Sequence, residues 1–216
     1  MTDMVGGGPF HLKPGQWTDD TSMALCLATS LVSKDGFDPV DQMDRYWDWY
    51  QNGYLSSTGH CFDIGNTVRQ ALERYKHRGD PFSGSTDPYS AGNGSLMRLA
   101  PIPLFYFPDL EKTIRFAGGG YCQKTRTQIK GTGYVVDSLE AALWCFYQTD
   151  SFEAAILQAA NLDDDADTTA AICGQIAGAF YGEAKIPVKW LACLFMRAEI
   201  TKLADQLARQ EPRISG

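Results

Sequence analysis

The sequence is poor in the residues that build soft-metal sites, disulfide frameworks and membrane spans. Its 216 residues include only three histidines and six cysteines, and no two cysteines form a C-x-x-C pair. This spacing argues against a zinc site, a disulfide framework and a cysteine nucleophile. No segment approaches the roughly 18 to 20 consecutive apolar residues that span a bilayer. We therefore expect a soluble protein with reduced thiols.

Positive charge is also scarce. The formal net charge is -7, with 19 Lys and Arg against 26 Asp and Glu. A nucleic-acid backbone as the main partner is not expected, because that role usually needs a basic stripe. Residues 1–13 have no apolar run behind a basic start, so we expect no secretory signal and a cytoplasmic location. The chain has no linker-like stretch, which predicts a single domain over residues 1–216 and a monomer.

Apolar residues recur three and four positions apart along most of the chain, and no segment alternates as a strand does. This periodicity predicts an all-α, orthogonal multi-helix bundle of roughly eight to ten helices. The predicted helices are 20–34, 39–51, 63–77, a short one opening at Gly94 and interrupted by Pro101 and Pro103, 135–146, 151–160, 168–182 and 187–197, with a fraying tail to Arg209.

Several residues are expected to start, end or pack these helices. Thr18 or Asp19 should cap the first helix, Asp63 should cap the third, and Gly79 should end the third. The last predicted motif is a series of glycines four residues apart among alanines, which favours close helix contact. These glycines are Gly174, Gly178 and Gly182.

Two acidic clusters, Thr18-Asp19-Asp20-Thr21 and Asp163-Asp164-Asp165-Ala166-Asp167-Thr168, each precede a helical segment. Their carboxylate and hydroxyl oxygens suit Mg²⁺, Mn²⁺ or Ca²⁺ better than zinc. Either cluster alone is better explained by helix capping. Six carboxylates, however, cannot converge in a folded interior without cations. Taken together, the clusters predict the two halves of one divalent-metal site.

Four sequence runs resemble the ADP-ribosylglycohydrolase family, and are similar to dinitrogenase reductase-activating glycohydrolase. They occur in order along the chain, which makes chance agreement improbable. The runs are Gly15-Gln16-Trp17-Thr18-Asp19-Asp20-Thr21, Gly92-Asn93-Gly94-Ser95-Leu96-Met97-Arg98, Gly131-Thr132-Gly133-Tyr134-Val135-Val136 and Asp165-Ala166-Asp167-Thr168-Thr169-Ala170-Ala171.

The resemblance implies an all-α hydrolase with two Mg²⁺ (or Mn²⁺) ions that removes ADP-ribose from modified protein side chains or related ADP-ribosyl compounds. It implies Asp20, Asp63 and Asp165 as catalytic residues and Thr21 as a capping, supporting residue. The implied metal ligands are Thr18, Asp19, Asp20, Asp165, Asp167 and Thr168.

The resemblance also implies a substrate site. Asp63 would contact the ribose, with a helix N-cap as its alternative role. Phe62 or Tyr89 would stack on adenine, unless they are core residues. The pyrophosphate would be bound by backbone N–H groups at a helix start, although the same glycine-rich sequence also fits an ordinary turn. The residues concerned are Gly92, Asn93, Gly94 and Ser95.

Three departures from the family pattern leave other functions open. An upstream helix with a Gly-Asp-Ala motif and a glutamate is missing, and so is a Ser-x-x-Thr-His segment between Phe116 and Gly131. Asp163 replaces a common glycine, so we expect strain in that turn or added negative charge. The alternatives are a catalytically impaired relative that binds ADP-ribose and metal, or a dinuclear-metal hydrolase of another phosphate-containing substrate.

Overall fold

A computed structural model describes residues 1–106 and 120–208. Within these ranges the chain is helical, and its only strand-like pairing is an isolated bridge between Gly7 and Leu12. The all-α prediction is therefore confirmed. No helix in the described ranges has both the length and the apolarity to cross a membrane. Phe116, after which the Ser-x-x-Thr-His segment of the family is missing, and Arg209, the end of the predicted tail, lie outside the described residues.

The helices follow the predicted order closely. Between them lie short 3₁₀ turns such as Pro88–Ser90 and Arg126–Gln128. In chain order the helices are α1 (Asp19–Lys34), α2 (Pro39–Asn52), α3 (Asn66–Arg78), α4 (Gly94–Met97), α5 (Pro101–Tyr106), α6 (Val135–Tyr147), α7 (Phe152–Ala160), α8 (Ala166–Tyr181), α9 (Val188–Cys193) and α10 (Arg197–Ala208).

The chain divides into two compact units, each built from separate stretches of sequence. Unit 1 contains the described residues 1–15 and 120–195, and unit 2 contains 16–106 and 196–208. Helices α6 to α9 belong to unit 1, and helices α1 to α5 and α10 belong to unit 2. Each acidic cluster therefore lies in a different unit, the first in unit 2 and the second in unit 1.

Unit 2 is organised around the apolar face of α1. Its core combines α1 with residues of the other helices: Met23, Cys26, Leu27, Leu31, Tyr46, Trp49, Leu72, Met97, Phe105 and Leu207. Leu207 comes from α10. The prediction of a fraying tail is therefore wrong as far as Ala208, because residues Arg197–Ala208 form a helix of 12 residues. The periodic signal of this segment is weak because Leu207 is its single buried residue.

The start of α3 also differs from the prediction. This helix begins at Asn66 with Gly65 as its N-cap, so Asp63 does not cap it. Asp63 instead has φ 59°, a left-handed conformation that cannot continue into a helix. The predicted end is correct, since Gly79 is the C-cap with φ 72°.

Unit 1 is built from helices that touch through small residues. Ala141 and Ala142 of α6, Ala155 of α7 and Ala177 of α8 are all completely buried. A Cβ atom at Gly174 would lie 3.5 Å from Ile156 Cδ1, which is ordinary van der Waals contact. A methyl group would therefore fit at Gly174, and the buried alanines also allow these helices to pack closely.

Candidate functional site

The first acidic cluster occupies the start of α1. Thr18 is the N-cap residue, but its side chain makes no capping bond to the helix; its hydroxyl instead donates to Asp20 Oδ2 at 2.9 Å. Asp19 and Asp20 are buried, with 7% and 3% of their surfaces exposed. Simple capping therefore does not explain the Thr18 side chain. Thr21 lies inside the first turn of α1, so its predicted capping role is wrong.

A loop between α2 and α3 holds the backbone that enters this cluster. The Trp17 N–H donates to Ser57 Oγ at 3.1 Å, and the Ser57 hydroxyl donates to the Trp17 carbonyl at 2.6 Å. Gln16 Nε2 donates to the Ser57 carbonyl at 2.7 Å. Ser57 lies 40 positions from Trp17 in sequence, and no periodicity or motif pointed to this pairing.

The same loop folds back tightly on itself before it reaches Asp63. Gly53 has φ 72°, and a Cβ atom there would lie 2.3 Å from the Gly59 carbonyl oxygen. Only glycine fits such a position, because both the dihedral angle and the space exclude a side chain. Glycine at this point therefore lets the loop close around Ser57.

Asp63 is exposed, between this loop and α3. Its φ of 59° lies in the left-handed region, which aspartate tolerates better than most residues but still at some cost. Such conformations occur often at ligand-binding positions. Nearby, Phe62 is half-buried, whereas Tyr89 is 97% exposed, so Tyr89 is not a core residue.

The glycine-rich run opens only a single helical turn, α4. The Gly92 N–H donates to the Ser90 carbonyl at 2.8 Å, and the Leu96 N–H donates to the Asn93 carbonyl at 2.8 Å. Those two amides are therefore engaged within the loop. A turn this short carries little of the dipole of a full helix.

Arg98, at the end of the glycine-rich run, contacts two helices of unit 2. Its guanidinium carbon lies 5.0 Å from the centroid of the Tyr46 ring, and Nη1 donates to Met23 Sδ at 3.4 Å. A guanidinium over a ring face is attracted by the electron-rich surface of the ring. Met23 belongs to α1, one turn after Asp20, so Arg98 joins the glycine-rich run to that helix.

The second acidic cluster lies at the start of α8. Asp165 is the N-cap residue, and its carboxyl lies close to that of Asp167. Although Asp167 as a whole is exposed, desolvation of its carboxyl, followed by the charge of Asp165, raises its pKa. Two carboxyl groups in contact cannot both be ionised without cost, so this pair favours a shared proton or a cation. Thr168 is buried, with 5% of its surface exposed.

The glycine run before α6 binds the backbone of Asp165. The Asp165 N–H donates to the Gly131 carbonyl at 2.8 Å, and the Thr169 hydroxyl donates to the Asp165 carbonyl at 2.9 Å. A Cβ atom at Gly131 would lie 2.9 Å from Thr169 Oγ1 and 3.4 Å from the Asp163 carbonyl oxygen. The absence of a side chain at Gly131 therefore permits this close approach.

Asp163 does not strain the turn, so this one of its two expected effects is wrong, and the added negative charge stays a prediction. The left-handed residue in this turn is Asp164, with φ 70°. The Asp163 side chain is fully exposed, and Oδ2 lies 3.4 Å from Nη2 of Arg126. The left-handed residue of the turn thus lies one position later than expected, at Asp164 instead of Asp163. Among the described residues, no group of three or more His, Cys, Asp or Glu side chains is arranged to hold a metal ion.

Comparison with known proteins agrees with the sequence motifs. A family profile described as ADP-ribosylglycohydrolase matches residues 1–120 and 111–215. A protein of Serratia proteamaculans named ADP-ribosylarginine hydrolase Tri1 is 41% identical, over 98% of this chain and 72% of its own length. The protein of the same name from Pseudomonas putida is 40% identical, over 99% and 72%.

A more distant relative also carries the name of an ADP-ribosyl hydrolysing enzyme. The ADP-ribosyl-[dinitrogen reductase] glycohydrolase of Rhodospirillum rubrum is 32% identical over 91% of this chain and 79% of its own. The alignment with the Serratia protein runs over 264 positions, 48 more than the 216 residues of this chain, so that relative has stretches with no counterpart here.

A solved structure shares the fold as well as the sequence. It is described as an ADP-ribosylglycohydrolase-related protein complex, and it superposes with a TM-score of 0.81 at 38% identity, covering 97% of this chain and 87% of that one. The profile match, the relatives and the shared fold together show that the chain belongs to the ADP-ribosylglycohydrolase family.

Proposed function

We propose that the protein is a metal-dependent hydrolase that releases ADP-ribose from ADP-ribosylated protein side chains, with ADP-ribosylarginine as its first candidate substrate. The observation that carries this proposal is the match to two proteins named ADP-ribosylarginine hydrolase over nearly the whole chain. The arginine linkage is an N-glycosidic bond between the ribose and the guanidinium group.

The proposed cofactor is a pair of Mg²⁺ or Mn²⁺ ions. The donor set fits, because both clusters offer only carboxylate and hydroxyl oxygens, which hard divalent cations prefer. The contact between the Asp165 and Asp167 carboxyls supports this fit, since a cation would relieve their repulsion. Bound there, the ions would supply Lewis-acid stabilisation of developing charge. The proposed ligands are Thr18, Asp19, Asp20, Asp165, Asp167 and Thr168.

Hydrolysis requires a water oxygen to bond to the anomeric carbon while the C–N bond to the guanidinium breaks. The water gives up one proton, and the leaving nitrogen must gain one. We propose that Asp20 and Asp165 orient this water and take up its proton, which then passes to the leaving nitrogen, as carboxylates do when an oxocarbenium-like state forms. Asp63, exposed and held left-handed, would accept hydrogen bonds from the ribose hydroxyls.

The pyrophosphate would be bound by the glycine-rich run. Since the Gly92 and Leu96 amides donate within the loop, we assign the phosphate contacts to the N–H groups of Gly94 and Ser95. Asn93 would shape the turn from its buried position, with 9% of its surface exposed. Tyr89, almost fully exposed, is the better candidate for contact with adenine, because Phe62 is half-buried.

A second candidate function is a relative that binds ADP-ribose and metal without turnover. The aligned positions of the Serratia protein that have no counterpart here favour it, because a catalytic residue could lie among them. Binding and turnover therefore have to be measured separately.

The test is mass spectrometry of ADP-ribose released from peptides carrying ADP-ribosylarginine or ADP-ribosylserine, with Mg²⁺ or Mn²⁺ and with excess EDTA. Metal-dependent release from the arginine peptide is expected. Calorimetry with free ADP-ribose and Mn²⁺ accompanies it. Binding without release would identify the second candidate function, and release that survives EDTA would exclude the metal proposal.

A further inference from the structure

Ser57 has an unusual role in unit 2, because one side chain satisfies both backbone groups of another residue. Its hydroxyl accepts from the Trp17 N–H at 3.1 Å and donates to the Trp17 carbonyl at 2.6 Å. Two adjacent strands exchange such bonds through their backbones; here a hydroxyl takes the place of the second strand. Ser57 is 3% exposed, so water does not readily replace it.

Trp17 is the residue immediately before Thr18. The Thr18 backbone is extended, with φ -91° and ψ -162°, and α1 begins at the next residue. The two hydrogen bonds to Ser57 therefore fix the peptide groups on both sides of Trp17 just where the chain turns into the helix. Any rotation there would move the Thr18 hydroxyl and the first carboxylate of the cluster.

The Trp17 side chain is held by the same part of unit 2. Its Nε1 donates to Ser22 Oγ at 3.2 Å, and it also lies 3.4 Å from the Leu55 carbonyl oxygen. Ser22 belongs to the first turns of α1, and Leu55 belongs to the loop that carries Ser57. The loop and the helix start are thus joined through both the backbone and the ring of Trp17.

We infer that Ser57 is a positioning residue for the metal ligands Thr18, Asp19 and Asp20, an inference that rests on the function proposed above. Ser57 itself touches neither substrate nor metal in this assignment. It acts by holding the Trp17 backbone, so that the ligands of unit 2 are in place before a cation binds. Residues that orient metal ligands in this way commonly affect metal affinity about 10- to 100-fold.

The neighbouring Ser56 provides a matched control. It is 7% exposed, its hydroxyl donates to the His60 carbonyl at 2.7 Å, and it accepts from the Thr58 N–H at 3.3 Å. Each serine therefore makes one donated and one accepted bond to backbone. The Ser56 bonds stay inside the loop, whereas the Ser57 bonds reach the start of α1.

The experiment compares Ser57→Ala with Ser56→Ala in the full chain. Mn²⁺ binding is measured by electron paramagnetic resonance of the free ion, and thermal melting is recorded without metal. We expect both variants to melt at similarly lowered temperatures. Only Ser57→Ala should raise the Mn²⁺ dissociation constant by about tenfold or more, with Ser56→Ala within about twofold of the parent chain.

Turnover of the ADP-ribosylarginine peptide gives a second readout. In Ser57→Ala, kcat should fall at low Mn²⁺ and recover at saturating Mn²⁺ with KM for the peptide unchanged, because the ligands themselves remain. A purely structural defect would not be repaired by more metal. If Ser57→Ala does not fold, Ser57→Cys keeps a side chain of similar size with a weaker hydrogen-bonding group and is expected to show the same direction of change.

The outcomes separate this inference from the proposed function. Tight Mn²⁺ binding by the parent chain with equal affinities in Ser57→Ala and Ser56→Ala would overturn the role of Ser57 alone. Failure of the parent chain to bind Mn²⁺ would overturn the metal centre and, with it, the positioning role. A selective, metal-reversible defect in Ser57→Ala establishes the inference.

Discussion

The two acidic clusters contain similar ligand atoms but are supported differently. In unit 2, Asp19 and Asp20 are buried, and the chain before them is tied by hydrogen bonds to a loop that is distant in sequence. In unit 1, Asp167 is exposed, and the backbone of Asp165 rests directly against Gly131. One cluster depends on a side-chain hydroxyl, and the other depends on the lack of a side chain.

This difference shows how one kind of chemistry can be held by unrelated local structures. A buried carboxylate at the start of a helix needs fixed surroundings, because it has no solvent to compensate for a displaced partner. Asp165 is less buried, and its backbone is held by the Gly131 carbonyl and the Thr169 hydroxyl. Substitutions at the supporting residues should therefore act through different physical effects in the two units.

The largest effect is expected from the ligands themselves. Asp20→Asn and Asp165→Asn each remove a negative charge from a proposed ligand, and each should lower peptide turnover about a thousandfold, since charge stabilisation by a metal amounts to several kcal/mol. Single-turnover release of ADP-ribose, with circular dichroism as a folding control, measures this. Retained activity in only one variant would show that one cluster is dispensable.

Gly53→Ala should be the most destabilising change in the loop that supports the first cluster. A Cβ atom would combine the cost of the left-handed backbone with a 2.3 Å contact to the Gly59 carbonyl oxygen, a loss of about 3 kcal/mol or more in unfolding free energy. Gly79→Ala is the control: it has the same φ of 72° but open space, so it should cost only about 1 kcal/mol. Urea unfolding distinguishes the two variants. Equal losses of unfolding free energy would mean that the contact with the Gly59 carbonyl oxygen contributes nothing.

Gly131→Ala tests the support of the second cluster. Its Cβ atom would lie 2.9 Å from Thr169 Oγ1, and the overpacking should cost about 1–3 kcal/mol. Gly174→Ala, inside α8 with room for a methyl group, should instead stabilise the protein by about 0.5–1 kcal/mol, because alanine favours a helix. Thermal melting should thus shift in opposite directions, and a loss at both positions would contradict this account of α8.

The smallest effect is expected at Asp163. Asp163→Gly should leave the melting temperature within about 2 °C of the parent chain, because exposed ion pairs contribute little to stability. Asp163 is fully exposed and has no left-handed backbone for glycine to relieve. As a comparison, Asp164→Gly should stabilise the chain, since Asp164 is the residue with φ 70°. A larger gain in stability from Asp163→Gly than from Asp164→Gly would mean that Asp163 is the left-handed residue of the turn.

The helices could largely be predicted from sequence because their signals are local. The periodic apolar residues of α1 and α6, and Pro39 at the start of α2, fixed those helices to within one or two residues. Prediction failed where the signal was weak or the backbone irregular. Helix α10 buries little apolar surface, and the left-handed Asp63 delays the start of α3.

The candidate site, like the helices, could be predicted from sequence only in part. The acidic motifs, their oxygen chemistry and the family resemblance are properties of short stretches, so the sequence alone determined them. The supports of Trp17 by Ser57 and of Asp165 by Gly131 join residues 40 and 34 positions apart in the chain. Only the tertiary structure decided these pairings, because a hydrogen bond or a close backbone contact depends on positions in space, and no local periodicity encodes it.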